Sequence, residues 1–343
     1  MLHPVVRIVA VSLLVLVPLP AAAITLTVSN TGVDSPTCGP TASPCRSITR
    51  AVLNSMPGDR VLVGPGVYSD DLDVDGVFGE AGEEPGSVNI GVAGLTIEST
   101  GGAAGTLIRR RGGTPSNGIA ISASDVKFGK ASKGFTVVTL GNVNSTAIAT
   151  AGASGVEVVG NVIAGPVNIG IGSTTNDGLF KDNRIVCSSG AGSAFLLVLG
   201  TGSRIDRNTV QGCQSGFLVA GTGHVITRNL AIGNGVGFGL GDFAELSRNA
   251  ALGNTSSGVS LSSGATPGLI FANTFAGNGT AFGSNCGLTN STGGAVTAAG
   301  NFWGAATGPG ADPADQVCNS FSSTTITSPF ATTDSTPKMA AIR

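Results

Sequence analysis

The feature that most constrains the fold is an asparagine that recurs through the middle of the chain at intervals of 20 to 25 residues. An apolar residue stands three positions before and two positions after each asparagine, and glycine stands four positions after five of the six. The repeated positions are Asn161, Asn183, Asn208, Asn229, Asn249 and Asn273. Self-similarity at this period predicts a solenoid in which every repeat stacks on its neighbours.

A repeat of about 22 residues is too short for two helices and a loop, but it suits one coil of three short strands. Stacked coils lie about 4.8 Å apart, so each strand pairs with the strands above and below it. An inward asparagine can bond both the backbone of the bend and the asparagine of the next coil, which predicts a ladder. A second, shorter ladder is predicted at Asn234, Asn254 and Asn278.

These patterns predict an all-β chain that forms a right-handed parallel β-helix, a solenoid. Leucine-rich repeats of similar period need a dense leucine pattern, and left-handed β-helices need a strict hexapeptide. The sequence has neither pattern. We expect one elongated domain over residues 24–330, followed by a polar C-terminal tail over residues 331–343.

The first 23 residues have the layout of a secretory signal peptide. Arg7 precedes an apolar run of ten residues, and Ala21–Ala23 supplies the small residues of a cleavage site before Ile24. A membrane-spanning helix needs about 20 apolar residues, so this run predicts no span. We therefore expect a secreted protein, extracellular or periplasmic.

The chain has six cysteines, and an even number in an exported protein favours disulfides over metal sites. One pair would close a short loop, one lies a single repeat apart, and one brackets the C-terminal segment. The predicted pairs are Cys38 with Cys45, Cys187 with Cys213, and Cys286 with Cys318.

Both ends of the repeat region carry motifs of their own. Ser47 can cap a short helix with Ile48, Ala51 and Val52 on one face, and such a helix would cover the open end of the stack. The segment that begins with this capping helix resembles the N-terminal cap and first coil of pectin-lyase-like right-handed β-helix proteins. Near the other end, the tetrapeptide 301–304, Asn-Phe-Trp-Gly, resembles the signature that often closes the same class.

This resemblance covers residues 25–320 and implies the fold. It implies little about activity, because the superfamily contains lyases, hydrolases, epimerases and adhesins. Any function must therefore be argued from individual residues.

Three arginines each precede a repeat asparagine, and we predict that they stack outward on adjacent coils: Arg207, Arg228 and Arg248. Arg204 lies nearby. Like charges about 5 Å apart repel, so such a column needs acids between its members or an anion in front of it. The functional hypothesis is a groove for an acidic polysaccharide, because arginine pairs well with carboxylates. The alternative is a solvated face neutralised by acids, and the candidates are Asp182, Asp206 and Glu245.

A second hypothesis concerns a cation. Three alternating aspartates followed by Gly76 match the start of a calcium-binding loop: Asp71, Asp73 and Asp75. The twelfth position is Gly82 instead of glutamate, although Glu83 and Glu84 follow. The sequence thus suggests Ca²⁺ as a cofactor and no other. In the alternative, Leu72, Val74 and Val77 point inward from an early strand and the aspartates are solvated on the outside.

Several function classes are disfavoured. With 18 basic and 20 acidic side chains, the chain lacks the basic field that nucleic acids require. His224 is the one histidine after the leader, which excludes mechanisms that need two. Glycoside hydrolysis needs two opposed carboxylates, and nothing in the sequence fixes such a pair.

The favoured interpretation is a monomeric β-helix protein that binds an extracellular or cell-envelope polysaccharide, without an identified catalytic site. The second interpretation is a polysaccharide lyase or epimerase that acts on uronate glycans through the arginine face. The third is a structural surface protein or adhesin.

Overall fold

The computed structural model describes residues 22–111, 117–140, 145–188, 192–197, 199–280 and 283–334. All but the last two residues of the predicted signal peptide lie outside these ranges, as do residues 335–343 of the predicted tail. None of the helices within the described ranges combines the length and the hydropathy needed to cross a bilayer.

Three long sheets, in which all strand pairs are parallel, run the length of the molecule. The chain visits sheet 1, sheet 2 and sheet 3 in turn, and then returns to sheet 1 one coil further on. Sheets 1 and 3 have ten strands each, and sheet 2 has nine. The predicted right-handed parallel β-helix is confirmed.

The strands have the following bounds. Sheet 1 contains Thr25–Val28, Arg60–Val63, Thr96–Ser99, Lys127–Phe128, Glu157–Val159, Leu179–Lys181, Arg204–Asp206, Val225–Thr227, Phe243–Ser247 and Pro267–Phe271. Sheet 2 contains Gly66–Ser69, Thr106–Arg110, Thr136–Thr139, Val162–Gly165, Arg184–Cys187, Thr209–Gln211, Leu230–Ile232, Ala250–Leu252 and Thr274–Ala276. Sheet 3 contains Val88–Ile90, Ile119–Ile121, Thr146–Thr150, Ile169–Ser173, Ser193–Leu197, Ser215–Val219, Val236–Leu240, Ser257–Leu261, Cys286–Asn290 and Gln316–Asn319. A small fourth sheet pairs Ala295–Thr297 with Thr324–Ile326.

Two short helices interrupt this pattern, over Ile48–Asn54 and Gly102–Gly105. The first begins after Ser47, whose hydroxyl accepts a hydrogen bond from the Arg50 amide at 3.0 Å. Its buried face carries Ile48, Ala51 and Val52, as the sequence pattern predicts. The carboxylate of Glu84 accepts from the first two amides of the helix, at 2.5 and 3.1 Å.

The core is a column of inward side chains in register from coil to coil. Phe195, Phe217 and Phe238 occupy one such file on sheet 3, and their rings stack with centroids 5.0 and 4.8 Å apart. Each stacked pair contributes about 0.5–1.5 kcal/mol beyond the burial of its area. The coil stacking is thus reinforced by contacts between like residues.

The predicted asparagine ladder is present and longer than expected, since Asn301 extends it by one step. In each step, the Oδ1 of one asparagine accepts from both the backbone amide and the Nδ2 of the preceding asparagine. For Asn208 and Asn229 these distances are 2.9 and 3.0 Å. The remaining Nδ2 proton bonds a main-chain carbonyl, such as that of Phe180 for Asn208, at 2.9 Å. All of these side chains are buried.

The second ladder is also present at the turn from sheet 2 to sheet 3. Asn234, Asn254 and Asn278 repeat the same bonds, and Asp315 closes the series by accepting from the Nδ2 of Asn278 at 2.6 Å. Burial raises the pKa of the Asp315 carboxyl.

The three predicted disulfides are present: Cys38–Cys45, Cys187–Cys213 and Cys286–Cys318. Their Cα separations are 4.9, 5.0 and 5.7 Å. The second joins adjacent coils. Cys187 stands on one coil, where other repeats have glycine, and Cys213 stands on the next. The bonds indicate folding in an oxidising compartment.

The ladder can be tested by replacing Asn229 with alanine. The change leaves the backbone amide and the Nδ2 of Asn208 without their acceptor, and each buried orphan donor costs about 1–3 kcal/mol. We expect the free energy of unfolding to fall by about 3 kcal/mol or more, measured by urea denaturation followed by circular dichroism. The exposed Gln211 provides a control, since Gln211→Ala should cost less than about 0.5 kcal/mol. Equal effects of the two substitutions would contradict a stabilising role for the ladder.

Candidate functional site

The arginine column lies at the turn between sheet 1 and sheet 2. Arg207, Arg228 and Arg248 adopt a left-handed backbone, with φ of 55°, 56° and 55°. The asparagines that follow them are bonded to one another, so the three arginines occupy equivalent positions on adjacent coils. The backbone of this turn therefore sets the spacing of the guanidinium groups.

Arg207 is paired with an acid from the preceding coil. Its Nε and Nη2 donate to the two carboxylate oxygens of Asp182 at 2.7 and 2.9 Å. Asp182 stands at the same turn position as the arginines, with φ of 55°. The hydrogen bond to Asp182 raises the pKa of Arg207, which keeps this guanidinium protonated.

Arg228 is paired in a different way, with an acid on sheet 1. It donates to both oxygens of Asp206 at 2.7 Å. The hydroxyl of Thr227 lies 3.2 Å from the same carboxylate, and Arg204 lies 3.8 Å from it. Asp206 is buried beneath these groups, and its single negative charge is paired with Arg228 and lies close to Arg204 as well. For Arg207 and Arg228 the structure therefore contains the neutralising acids of the alternative interpretation.

Arg248 differs from the other two. Its side chain is exposed, and it forms no ion pair with the described residues. The reason is visible in the strand register. Asp206 is aligned with Thr227 on the next coil, so a hydroxyl stands where Arg248 would meet a carboxylate. Glu245, the other predicted neutralising acid, is hydrogen-bonded to Ser247.

We call this region the cationic corner and define it by six basic side chains: Lys181, Arg184, Arg204, Arg207, Arg228 and Arg248. Three acids lie among them, namely Asp182, Asp206 and Glu245. The region has a local excess of positive charge on a chain whose formal net charge is −2.

The predicted calcium residues lie several coils away from these arginines, in the loop between the first strands of sheet 2 and sheet 3. Three consecutive arginines on the next coil hold this loop. Arg109 donates to the carbonyls of Asp71 and Leu72 at 3.0 and 3.1 Å. Arg110 pairs with Asp70, and Arg111 lies 3.1 Å from the Asp71 carboxylate.

The structure divides the three predicted aspartates between two groups of close carboxylates. Asp71 and Asp73 lie with Glu83, and their ligand oxygens are within 4.8 Å of one another. Asp73 and Asp75 lie with Glu80 at the surface, within the same limit. The neighbouring acids raise the pKa of Glu80, Asp75 most of all, which reflects a strongly negative local potential.

The alternative to a calcium loop is wrong in its geometry. Leu72, Val74 and Val77 do not point inward from a strand, since they are 37%, 48% and 52% exposed. Asp71, by contrast, is 1% exposed. Sequence reasoning missed Glu83 as a partner of Asp71, although this glutamate directly follows the twelfth position of the calcium-loop pattern.

His224 is part of the framework. It is 1% exposed, and the Ser203 amide donates to its Nδ1 at 3.2 Å. Burial lowers the pKa of its imidazole, so the ring is neutral at pH 7. Tyr68 and Trp303 are fully buried as well, and neither can serve as an exposed stacking surface for a sugar.

Ligands for a soft metal are scarce in the described part of the chain. Every cysteine is in a disulfide, His224 is buried, and Met56 is the one methionine among the described residues. The two acid groups of the loop instead offer oxygen ligands alone, which suit hard cations.

The role of His224 predicts a pH dependence of stability. Because the folded state lowers its pKa, its contribution is present above the unfolded pKa of about 6.5 and is lost as the pH falls below that value. The loss is at most about 1.4 kcal/mol per pH unit. We expect His224→Asn to remove this component when urea unfolding is measured from about pH 7.5 to pH 5.5. Parallel pH profiles for the two proteins would contradict the assignment.

The comparison with family models agrees with the observed fold. Residues 89–308 match the family model of NosD, described as a periplasmic copper-binding protein. None of the curated proteins matches the chain in sequence. Among solved structures, the crystal structure of pectate lyase Pel9A is similar, with a TM-score of 0.49 and 16% identity over 93% of this chain and 82% of that one. Because the family match spans well over half of the sequence, this chain belongs to the NosD family of right-handed β-helix proteins.

Proposed function

We propose that this protein is an exported, non-catalytic β-helix that binds an acidic polysaccharide along its cationic corner. The observation that carries the proposal is Arg248, an exposed guanidinium that forms no ion pair with the described residues. Arg248 continues the arginine column, in which Arg207 and Arg228 each donate two hydrogen bonds to one carboxylate. A carboxylate of a ligand would complete the same arrangement on the next coil.

The spacing of the corner suits a polymer. Successive coils lie about 4.8 Å apart, which is comparable with the length of one sugar unit, so a chain along the helix axis could present a carboxylate to each coil. Arg204 and Arg184 are also exposed and extend the positive surface to both sides of the turn. Attraction of this kind is partly screened at physiological ionic strength, which predicts binding that weakens with salt.

Binding is favoured over lyase or epimerase activity. A catalytic base must be able to accept a proton, but Asp182 holds Arg207 in its protonated form. His224 is buried and lies outside the corner. Arg228 is tied to a buried carboxylate by two hydrogen bonds.

Copper is not part of this proposal, although the family description names it. Copper sites use thiolate, thioether or imidazole ligands, and the described residues offer no free thiolate, a single buried imidazole and a single thioether, that of Met56. The residues that the structure describes therefore do not fit a copper centre.

The proposed location is outside the cytoplasm. Three disulfides require an oxidising compartment, and the matched family is described as periplasmic. Residues 1–23 have the pattern of the signal peptide that would direct export.

The test is binding to polygalacturonate and alginate, with neutral dextran as a control ligand, measured by biolayer interferometry. We expect binding to the two uronate polymers alone, and Arg248→Gln should weaken it about three- to tenfold, the effect of losing one charge-assisted contact. Lys130→Gln makes the same charge change at an exposed site several coils away, and it should leave affinity within about twofold.

The same samples distinguish the other functions. Growth of the ultraviolet absorbance of unsaturated uronate would establish a lyase and contradict a non-catalytic role. Equal binding to dextran, or none to any polymer, would contradict the proposed ligand and leave a structural surface protein as the better account.

A further inference from the structure

The most unusual carboxylate outside the cationic corner is that of Asp71. It is 1% exposed, and its Oδ1 has no hydrogen-bond partner among the described residues. A buried carboxylate oxygen without a partner costs a substantial desolvation free energy, so it calls for a compensating positive group. Its other oxygen faces Arg111 at 3.1 Å, which compensates only part of the local charge.

The surroundings of Asp71 place further oxygens at the same point. The ligand oxygens of Asp71, Asp73 and Glu83 lie within 4.8 Å of one another. Calcium binds oxygens at about 2.3–2.6 Å, so ligands on opposite sides of one ion are separated by at most about 5 Å. The group therefore has the dimensions of a single coordination sphere.

The geometry of Glu83 is fixed in advance. Its Oε1 accepts from the Leu72 amide, and its Oε2 accepts from the amides of Gly79 and Glu80 at 3.0 and 3.1 Å. Oε1 accepts one bond and so keeps a lone pair for a cation, whereas both lone pairs of Oε2 are used by the two amides. Glu83 thereby joins Leu72 near the start of the loop to Gly79 and Glu80 further along it, and Arg109 of the next coil holds the start through the carbonyls of Asp71 and Leu72.

The charge balance also favours a divalent cation. Asp71, Asp73 and Glu83 supply three negative charges, and Arg111 supplies one positive charge. Segment 70–84 holds seven acids in all, against the three consecutive arginines that contact it. A bound divalent cation would remove the repulsion among these acids and satisfy the buried oxygen.

We propose that this loop is a calcium-class cation site, with Asp71, Asp73 and Glu83 as its protein ligands. The ligand set is made of oxygen alone, so the site selects a hard cation and not the copper named in the family description. It is separate from the cationic corner and does not depend on the proposed polysaccharide. Bound calcium would fix the loop from which Glu84 reaches the N-terminal helix, and so strengthen that end of the solenoid.

The experiment measures Ca²⁺ binding to the intact, chelator-treated protein by isothermal titration calorimetry. We expect one site per chain and a rise in the thermal midpoint when Ca²⁺ is added. Asp73→Asn is the principal variant, because Asp73 is exposed and none of the hydrogen bonds among the described residues involves its side chain. It should weaken Ca²⁺ at least about tenfold while leaving the calcium-free thermal midpoint unchanged.

Two further variants locate the site within the loop. Glu83→Gln should also weaken Ca²⁺, whereas Asp75→Asn removes a ligand of the neighbouring surface group and should change affinity by less than about twofold. Because Asp73 belongs to both groups, loss of binding in Asp75→Asn with no effect of Glu83→Gln would overturn the ligand assignment. No calcium binding in the parent protein would overturn the site, and stabilisation by Cu²⁺ but not by Ca²⁺ would overturn its hard-cation character.

Discussion

The buried amide of the repeat asparagine is the interaction on which the solenoid depends. Each turn from sheet 1 to sheet 2 leaves main-chain donors and acceptors inside the molecule, where water cannot satisfy them. One asparagine per coil satisfies them, because its Oδ1 accepts two bonds and its Nδ2 donates two. If one asparagine were missing, polar groups would be left unpaired on both sides of the gap. Each coil therefore needs an asparagine at this position to satisfy the coil next to it.

The same turn explains why the outer surface can vary. The ladder fixes the backbone at the asparagine, and the preceding residue is held in a left-handed conformation with its side chain outside the core. This position is aspartate, arginine or alanine in different coils, at Asp182, Arg207 and Ala272. A backbone constraint therefore sets the position of the charges while the sequence sets their sign, and ion pairs form where acids and arginines meet on neighbouring coils.

Much of the fold is predictable from sequence because its determinants are local and repeated. The asparagine period indicates the coils and both ladders, and the cysteine spacing indicates the three disulfides, all of which the structure confirms. The candidate sites are less predictable, since they depend on which residues meet across coils. Pairing of Arg228 with Asp206 follows from a strand register, and proximity of Glu83 to Asp71 follows from a loop path that no period encodes.

The cationic corner and the acidic loop have in common a local charge that the fold does not fully compensate. In the middle coils, arginines outnumber acids, and the compensation stops where Thr227 replaces the carboxylate that Arg248 would need. In the first coil, acids outnumber arginines, and the compensation stops at the buried Oδ1 of Asp71. The backbone cannot relax freely around either imbalance, because the asparagine ladder fixes the turn that carries Arg248, and Glu83 and Arg109 hold the loop that carries Asp71. Each surplus is therefore presented at a set position, where a partner of the opposite sign can meet it.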